Sequence, residues 1–527
     1  MSSDRKGWLR GALLLTIAGL ISKVLSAGYR IPLQNLTGDI GFYIYQQVYP
    51  LLGMGMILAL YGFPSAISKL TAESKEKGHT QTTANFYFPI FLILLLVVGT
   101  LAVLLFVSAG SLASWIGDPR LTRAYQLVAL SLLLIPFTSL LRGVFQGNGN
   151  MKPTAYSQMG EQLFRVLLII AVAIYVSFTG ADLYRIGEGA AIASIGGGLA
   201  AILLLTMFIR KSEQSVQLQK AVIPWRYYIQ TLLLFGLVAS LNHMVLLLFQ
   251  FADAFTLVSG LQEYGLSQTK AMEAKGVLDR GQPLIQLGTV LGSSFALAMI
   301  PSVSQQKLQD AKAAFYQHIR SSIAIGFYLA VGATTGLIAI MPQANMLLYQ
   351  DTLGTNDLRI LVIAILLSSI GVTCATILQG LGGTKQTAVF IILSIFMKWF
   401  GNRLLVPIFG ITGAALATIL GLACFSLLVY IGLKLKLPAL KLMRQINWST
   451  LLLAVSAMLI YIFVIDLFVP TELSRFGSLL YVGFVAGTGA CIYLFILLRG
   501  RTFISEEINM LPWSHVWMRI YKERKSP

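Results

Sequence analysis

The chain has 527 residues, of which 56% are hydrophobic and only 11% are charged, and its mean hydropathy is +0.76. This composition excludes a soluble globular protein, because runs of about 20 apolar residues recur from end to end and each is long enough to cross a bilayer. The net charge of +18 is attributed to basic cytoplasmic loops, not to nucleic-acid binding.

Apolar periodicity and helix breakers predict about fourteen membrane-spanning helices. The start of the chain resembles a signal peptide, but its apolar run continues past Lys23 without a cleavage site and is predicted to be a retained helix. The sequence therefore predicts an all-α polytopic membrane protein. The predicted spans lie near residues 10–36, 42–70, 84–116, 122–147, 154–178, 186–210, 225–259, 280–305, 316–349, 356–381, 386–408, 410–436, 447–469 and 477–499.

One ten-residue pattern occurs twice, each time between two apolar runs. Residues 146–155 and 379–388 both read Q-G-x-G-x-x-K-x-T-A, at an offset of 233 residues, and Pro64-Ser65 recurs as Pro301-Ser302. These pairs predict two parallel six-helix repeats with a cavity expected between them. The predicted divisions are an N-terminal bundle (1–215), a C-terminal bundle (216–440), two additional helices (441–500) and a basic cytoplasmic tail (501–527).

The Lys and Arg residues predict the orientation. If the N-terminus is cytoplasmic, 25 of the 39 basic residues fall on inner segments and nine on outer ones, so both termini are placed in the cytoplasm. The longest outer connection, near 260–281, is polar and too short for a folded domain. The sequence shows no nucleotide-binding P-loop and no zinc-spaced His pair, so we expect no catalytic site, no metal site and no cofactor.

Five basic residues remain inside apolar runs, where an uncompensated charge costs about 2.5–3.5 kcal/mol, so each needs a partner or an aqueous cavity. In the first helix, Lys23, Arg30 and Gln34 fall with Thr16 within about 40° of one another and form one polar stripe. Either the two cations extend to opposite interfaces, or the stripe lines a water-filled wall that binds substrate. The five are Lys23, Arg30, Arg142, Arg165 and Lys398.

Span 7 carries a second stripe, in which Asn242, Gln250 and Asp253 lie within about 80° of one another. Asp253 either neutralises a cation of the first helix or forms a proton or cation site coupled to transport. Glu161 and Arg165 form an i,i+4 pair on span 5, and this spacing favours a structural role. Both residues, like Asn242, are also candidates for coupling transport to an ion.

Three further cations, Arg142, Lys398 and Arg280, lie near helix ends or inside apolar runs and are interpreted one by one. Arg142, one turn before the first Gly-rich turn, is expected to reach the cytoplasmic headgroups, whereas Lys398 either extends to an interface or faces the cavity. Arg280 opens span 8, where a cation opposes the helix dipole. It either pairs with Asp279 alone or, held by that carboxylate, binds a diphosphate.

The spans and their motifs resemble the multidrug/oligosaccharidyl-lipid/polysaccharide (MOP) flippase superfamily. Four segments are similar to the stage V sporulation protein B group and, more distantly, to MurJ-type lipid II flippases. They are residues 21–25 (ISKVL), 63–65 (FPS), 278–280 (LDR) and 300–302 (IPS).

The resemblance implies alternating access, with a lipid-linked sugar diphosphate entering a cationic cavity from the cytoplasmic leaflet. It places Lys23 where the lipid II flippases have an essential Arg, Arg30 near a second one, and Asp279-Arg280 on an essential Asp-Arg pair. The flippases' basic pair early in span 2 falls on Gly53-Met54, and this departure leaves room for a glycan other than lipid II.

The function expected from the sequence is a flippase for a polyprenyl-diphosphate-linked saccharide in a bacterial plasma membrane. H⁺, Na⁺ or the membrane potential are the candidate driving forces, and membrane lipids and cell-envelope synthesis enzymes the candidate partners. A cation-coupled drug exporter of the same fold is the alternative, which the surplus of intramembrane cations disfavours. A membrane glycan polymerase or ligase would need catalytic carboxylates or His in a sizeable outer loop.

Overall fold

The computed structural model describes residues 2–77, 82–210, 223–299, 312–440, 446–470 and 473–500, together with 502–503, 518 and 521. These residues are helical almost throughout and include no strand, so the predicted all-α architecture is confirmed. Pro301-Ser302, the repeat boundary near 215 and most of the tail 501–527 lie outside the described residues.

The described part of the first half of the chain folds into eleven α-helices, named here α1 to α11. Short π-helical segments at Leu58–Gly62 and Thr231–Leu237 make α2 continuous with α3 and α9 continuous with α10. The bounds are α1 (Ser2–Gly28), α2 (Arg30–Ile57), α3 (Phe63–Glu76), α4 (Phe88–Ile116), α5 (Thr122–Leu132), α6 (Ile135–Gly147), α7 (Lys152–Thr179), α8 (Arg185–Arg210), α9 (Trp225–Gln230), α10 (Val238–Glu263) and α11 (Gln268–Asp279).

The described part of the second half continues with helices α12 to α19. Asn447 and Ser474 cap the last two, because their side-chain oxygens accept hydrogen bonds from Thr450 N and Gly477 N. The bounds are α12 (Gly281–Met299), α13 (Lys312–Ala339), α14 (Met341–Tyr349), α15 (Thr355–Leu361), α16 (Ile363–Gly380), α17 (Thr384–Lys436), α18 (Trp448–Asp466) and α19 (Arg475–Arg499).

Eleven helical stretches of the described chain are long and apolar enough to cross a membrane. Two of them, Leu14–Glu76 and Thr384–Lys436, have 63 and 53 residues, and since about 20 residues suffice for one crossing, each supplies two. Both are broken at a glycine with positive φ, Gly38 (+68°) and Gly410 (+58°). Gly38 lies in the predicted gap between spans 1 and 2, and Gly410 is the first residue of predicted span 12.

The two copies of the ten-residue pattern form the same turn. Gly149 and Gly382 have φ angles of +78° and +77°, and each donates its N–H to the carbonyl of the Gln that begins the pattern, at 2.9 Å. The helices before the turns, α6 and α16, end at Gly147 and Gly380. Identical turn geometry at an offset of 233 residues supports the predicted internal duplication, although the division into repeats stays a prediction.

The helices pack into two compact units. The first comprises Met1–Asp279 with Lys398–Ala414, and the second comprises Arg280–Met397 with Ala415–Pro527. One apolar core of the first unit joins α3, α4 and α6 around Phe63, Ile67 and Ile90. A core of the second unit joins α13, α18 and α19 around Tyr328, Met458 and Val485.

The polar connection predicted near 260–281 contains a helix, α11, that packs against α2. Gly276 permits the contact, because a Cβ there would lie 2.2 Å from the carbonyl oxygen of Asp39. Lys275 and Asp279 of this helix are buried. The connection therefore belongs to the core of the first unit, and sequence periodicity missed it because α11 is only twelve residues long and polar.

Candidate functional site

The polar stripe of the first helix becomes more buried along its length. Thr16 is exposed and Lys23 half-buried, whereas Arg30 and Gln34 are only 1% and 4% exposed. Helical hydrogen bonds continue through Tyr29, from Tyr29 N to Leu25 O and from Leu33 N to Tyr29 O. The predicted alignment of the four side chains along one helix is therefore retained up to the break at Gly38.

Arg30 is a buried guanidinium with no carboxylate partner in the described part of the chain. It lies over the ring of Tyr49, with its central carbon 3.9 Å from the ring centroid, and Tyr29 and Tyr45, whose hydroxyls are hydrogen-bonded to each other, lie nearby. No described residue meets the geometry of a hydrogen bond to any of its three nitrogens. A cation–π contact offsets only about 2 kcal/mol of the desolvation cost of a buried charge, so the site favours an anionic ligand.

The tyrosines near Arg30 also form one wall of a small cleft in the first unit, called here the tyrosine cleft. The cleft combines aromatic and aliphatic side chains with a few hydroxyl, amide and guanidinium groups, a mixture typical of ligand sites. Its wall residues are Ser26, Tyr29, Tyr45, Tyr49, Leu52, Met56, Gln162, Arg165, Ile169 and Ser194.

Lys23 of α1 and Gln34 of α2 flank Arg30 along the helical stretch that continues through Tyr29. Within the described part of the chain, Lys23 has no ion-pair partner, and it lies near His243, whose ring stacks on Tyr61 with centroids 4.5 Å apart. The Gln34 amide donates to the Asp39 carboxylate at 3.0 Å, while its buried carbonyl oxygen is unpartnered. Unsatisfied polar groups thus accompany the two cations along this stripe.

Glu161 bridges two buried guanidinium groups. Its carboxylate lies 2.5 Å from Arg165 Nη2, as the i,i+4 spacing predicted, and 2.7 Å from Arg142 Nη2. Arg142 is fully buried and also donates to the carbonyl of Ala59 at 3.2 Å. The expectation that Arg142 reaches the lipid headgroups is therefore wrong, because Glu161 binds it inside the bundle.

Asp253 of α10 is paired with Lys398 and not with a cation of the first helix. The carboxylate Oδ1 lies 2.6 Å from Lys398 Nζ and accepts a second hydrogen bond from Asn402 Nδ2 at 2.7 Å. Lys398 is fully buried, so it does not extend to an interface. Asn242, the other polar candidate of this helix, is 2% exposed.

Asp279 and Arg280 have separate partners, each within its own unit. Asp279 binds Lys275 at 2.7 Å. Arg280 binds both carboxylate oxygens of Asp351, at 2.5 and 2.9 Å, and its carbonyl accepts a hydrogen bond from the hydroxyl of Tyr349. The guanidinium fork predicted to bind a diphosphate is thus occupied by a carboxylate of its own chain.

Several residues of these clusters were missed in the sequence. Tyr45 and Tyr49 are one helical turn apart, as are Lys398 and Asn402, so i,i+4 spacing was the available signal. Asp351 gave no such signal, because it lies 71 residues from Arg280 in a short loop. Of the five cations predicted inside apolar runs, Lys23 and Arg30 are the two without an ion pair among the described residues.

A family model described as "Polysaccharide biosynthesis protein" matches residues 8–307, more than half of the chain. The chain belongs to the polysaccharide biosynthesis protein family. In this family member, Lys23 of α1 and Arg30 of α2 are the two cations of the predicted stripe, and neither has an ion pair among the described residues.

Curated relatives of this family member cover nearly its whole length. It is 35% identical to the uncharacterized membrane protein YabM of Bacillus subtilis (strain 168), over 99% of this chain and 98% of that protein. It is 24% identical to the lipid II flippase MurJ of the same organism, over 92% of this chain and 94% of MurJ. Identity to its stage V sporulation protein B is also 24%, over 96% and 98%.

Two solved structures share the fold of this family member. A lipid II flippase MurJ in an inward closed conformation matches with a TM-score of 0.67 and 13% identity, over 92% of this chain and 98% of that one. An inward-facing multidrug resistance MATE family transporter of the MOP superfamily matches with a TM-score of 0.62 and 14% identity, over 82% and 99%. The predicted resemblance to the MOP superfamily, the sporulation protein B group and the lipid II flippases is confirmed.

Proposed function

We propose that this protein is a flippase that moves a polyprenyl-diphosphate-linked saccharide across the bacterial plasma membrane by alternating access. The saccharide is a peptidoglycan precursor or a polysaccharide repeat unit. The observation that carries the proposal is Arg30, a guanidinium that is 1% exposed and has no carboxylate partner among the described residues. Such a group is costly unless an anion binds it during the functional cycle.

The surroundings of Arg30 support a lipid-linked sugar diphosphate as that anion. The planar guanidinium binds phosphate oxygens in bidentate fashion, and Lys23 adds a second positive charge on the same helix. Hydroxyl and amide groups of the tyrosine cleft, such as Ser26, Gln162 and Ser194, are suited to sugar hydroxyls. Gln34, Asp279 and Arg280 stay candidate substrate-binding residues, as the sequence predicted.

Net positive charge distinguishes this site from one built for cationic drugs. Glu161 is a single carboxylate that binds two guanidinium groups, Arg142 and Arg165, and Arg30 adds a third that has no carboxylate partner in the described chain. A cationic drug would be repelled there, whereas a diphosphate would be attracted. The family and fold comparisons support a transporter and not an enzyme.

The membrane potential provides one driving force. Outward movement of an anion down an inside-negative potential gains about 2.3 kcal/mol per charge per 100 mV. We place both termini in the cytoplasm from the distribution of basic residues. Asn242, Asp253, Glu161 and Arg165 stay the candidates for coupling to an ion.

The test is native mass spectrometry of lipids that copurify with the full-length protein. Wild type is compared with Arg30→Gln and, as a matched control, with Arg120→Gln, because Arg120 is an exposed residue paired with Asp182 at 2.7 Å. We expect a polyprenyl-diphosphate saccharide on wild type and on the control, and at least a tenfold loss on Arg30→Gln. Retention of only bulk phospholipid by all three would contradict the proposal and favour the drug exporter.

A further inference from the structure

The buried ion pair of Asp253 and Lys398 is part of an oxygen-lined site. Lys398 Nζ lies 2.6 Å from Asp253 Oδ1, 3.0 Å from Asn402 Oδ1 and 3.2 Å from the carbonyl oxygen of Ala414. An ammonium is a hydrogen-bond donor and has no acceptor, so these three oxygens accept from it. Asp253, Lys398 and Asn402 are each at most 4% exposed.

Two of the acceptor residues, Asp253 and Asn402, are also held in place by hydrogen bonds that do not involve Lys398. Asn402 Nδ2 donates to Asp253 Oδ1 and to Thr256 Oγ1, both at 2.7 Å, so the amide oxygen of Asn402 is oriented toward Lys398. Thr256 is itself fixed, because its hydroxyl donates to the carbonyl of Ala252 at 2.7 Å. The carboxylate, amide and carbonyl oxygens therefore form a built cage whose charge requires one cation.

Oxygen cages of this composition bind hard metal ions, which take carboxylate, amide and backbone carbonyl ligands. In this protein the ammonium group of Lys398 occupies the cage. Because Lys398 belongs to α17 and Asp253 to α10, the ammonium connects two helices whose paired residues are 145 positions apart in the chain. A free cation in the same position would connect them reversibly.

We propose that Lys398 is a tethered substitute for a coupling cation, and that its truncation converts the Asp253, Asn402 and Ala414 cage into a binding site for Na⁺ or Li⁺. The wild-type protein then binds no free cation at Asp253. Its transport is driven without Na⁺ at this position, which refines the coupling role proposed for Asp253. The inference concerns cation binding alone and is independent of the identity of the transported lipid.

The experiment measures the thermal unfolding temperature of the full-length protein in choline chloride, NaCl, LiCl and KCl at one ionic strength. Wild type is compared with Lys398→Ala and with Lys398→Ala/Asp253→Asn, in which the carboxylate is also neutralised. For Lys398→Ala we expect a saturable rise of about 2 °C or more in NaCl or LiCl relative to choline, because a ligand that binds only the folded state stabilises it. For wild type and for the double variant we expect no such rise.

Two results would overturn the inference. One is a saturable Na⁺-dependent rise in wild type that Asp253→Asn abolishes, since the metal would then bind alongside Lys398. The other is a folded Lys398→Ala protein that responds to none of the three metal ions. If Lys398→Ala does not fold, Lys398→Ser, which adds a hydroxyl oxygen to the cage, replaces it, and the wild-type measurement remains decisive on its own.

None of these outcomes depends on a lipid. If the purified protein retains a polyprenyl-diphosphate saccharide but Lys398→Ala does not respond to Na⁺ or Li⁺, the inference about Lys398 is refuted and the proposed function stands. If no such saccharide copurifies but Lys398→Ala is stabilised by Na⁺, only the proposed function is refuted.

Discussion

At the scale of single residues, the charged side chains divide into those with a partner and those without. Arg142, Arg165, Lys275, Arg280 and Lys398 each bind a carboxylate within 2.7 Å. Lys23 and Arg30 have no carboxylate partner in the described part of the chain. Because a buried pair contributes little net stability while an orphaned charge is costly, removing a partner should destabilise the protein more than removing an unpaired cation.

Glu161 provides a direct test of that distinction. Glu161→Gln leaves two buried guanidinium groups, Arg142 and Arg165, without their shared carboxylate, and we expect a loss of about 3–5 kcal/mol of stability. The measurement is thermal or denaturant unfolding of the purified protein. The matched control is Glu188→Gln, whose partner Arg123 is 3.5 Å away and 76% exposed, and which should cost less than about 1 kcal/mol. Equal losses in both variants would argue against a structural role for Glu161.

Asp351 is predicted to compete with the substrate for Arg280. It occupies both arms of the guanidinium fork, so Asp351→Asn should weaken that contact and increase retention of an anionic lipid several-fold. Native mass spectrometry of copurified lipids measures the change. Asp357→Asn, six residues further along, serves as the control and should leave retention unchanged. Reduced retention in Asp351→Asn would show that Asp351 positions Arg280 for binding instead of blocking it.

At the scale of the helices, glycines with positive φ mark the breaks between crossings. Gly38 has a φ of +68°, and a methyl group added to its Cα would have no neighbouring atom within 4 Å, so Gly38→Ala introduces backbone strain without a clash. We expect this change to cost about 1–2 kcal/mol. Gly28→Ala, at a helical position that is equally open, should be neutral or stabilising. Unfolding measurements that rank the two variants in the opposite order would contradict the assignment of Gly38 as the break.

Asp118, between α4 and α5, is expected to make stability depend on pH. Burial raises the pKa of its carboxyl group, against hydrogen bonds donated by the hydroxyls of Tyr184 at 2.7 Å and Tyr43 at 3.3 Å. The folded state therefore holds this proton more tightly than the unfolded state does. The associated stability is present at low pH and is lost as the pH rises from the ordinary carboxyl pKa through the raised one.

Asp118→Asn removes this titration while keeping an oxygen that can accept from the tyrosines. Unfolding temperatures measured across the acidic to neutral range should show wild type losing stability relative to the variant as the pH rises. A difference between the two proteins that does not change with pH would contradict the raised pKa. Arg120, whose positive charge lowers the pKa of Asp118, is kept in both proteins.

Helices were predictable from the sequence where apolar runs of bilayer length determine them. The predicted bounds of α4, α8 and α19 differ from the observed ones by no more than a few residues. Helix α11 was missed because its burial depends on contact with α2 and not on its own polar sequence. The kink at Gly38 was located only as a gap, since a glycine in a sequence does not reveal its φ angle.

The candidate site was predictable in its residue types but not in its pairings. Rare charges in apolar runs identified Lys23, Arg30, Glu161 and Asp253, because the membrane makes such residues costly. The pairings of Glu161 with Arg142, of Asp253 with Lys398 and of Arg280 with Asp351 join distant parts of the chain, so only the tertiary structure brings them into contact. The i,i+4 spacing of Tyr45 and Tyr49 was the signal from the tyrosines around Arg30, but it does not stand out in a chain with 21 Tyr and 29 Phe residues.

At the scale of the whole molecule, we propose that an anionic lipid-linked saccharide crosses the membrane past the two cations Lys23 and Arg30. The family match, the MOP fold and the unpaired Arg30 agree with this role. The same fold in a drug exporter would carry cations, so the charge of the transported molecule separates the two functions.

The most direct measurement is translocation in proteoliposomes that contain a fluorescent polyprenyl-diphosphate saccharide. A membrane-impermeant quencher reports the fraction of the lipid exposed on the outer leaflet over time. We predict rapid exchange between leaflets with wild type and with Arg120→Gln, and at least a tenfold slower exchange with Arg30→Gln. Exchange at the protein-free rate with wild type, or at the wild-type rate with Arg30→Gln, would contradict the account.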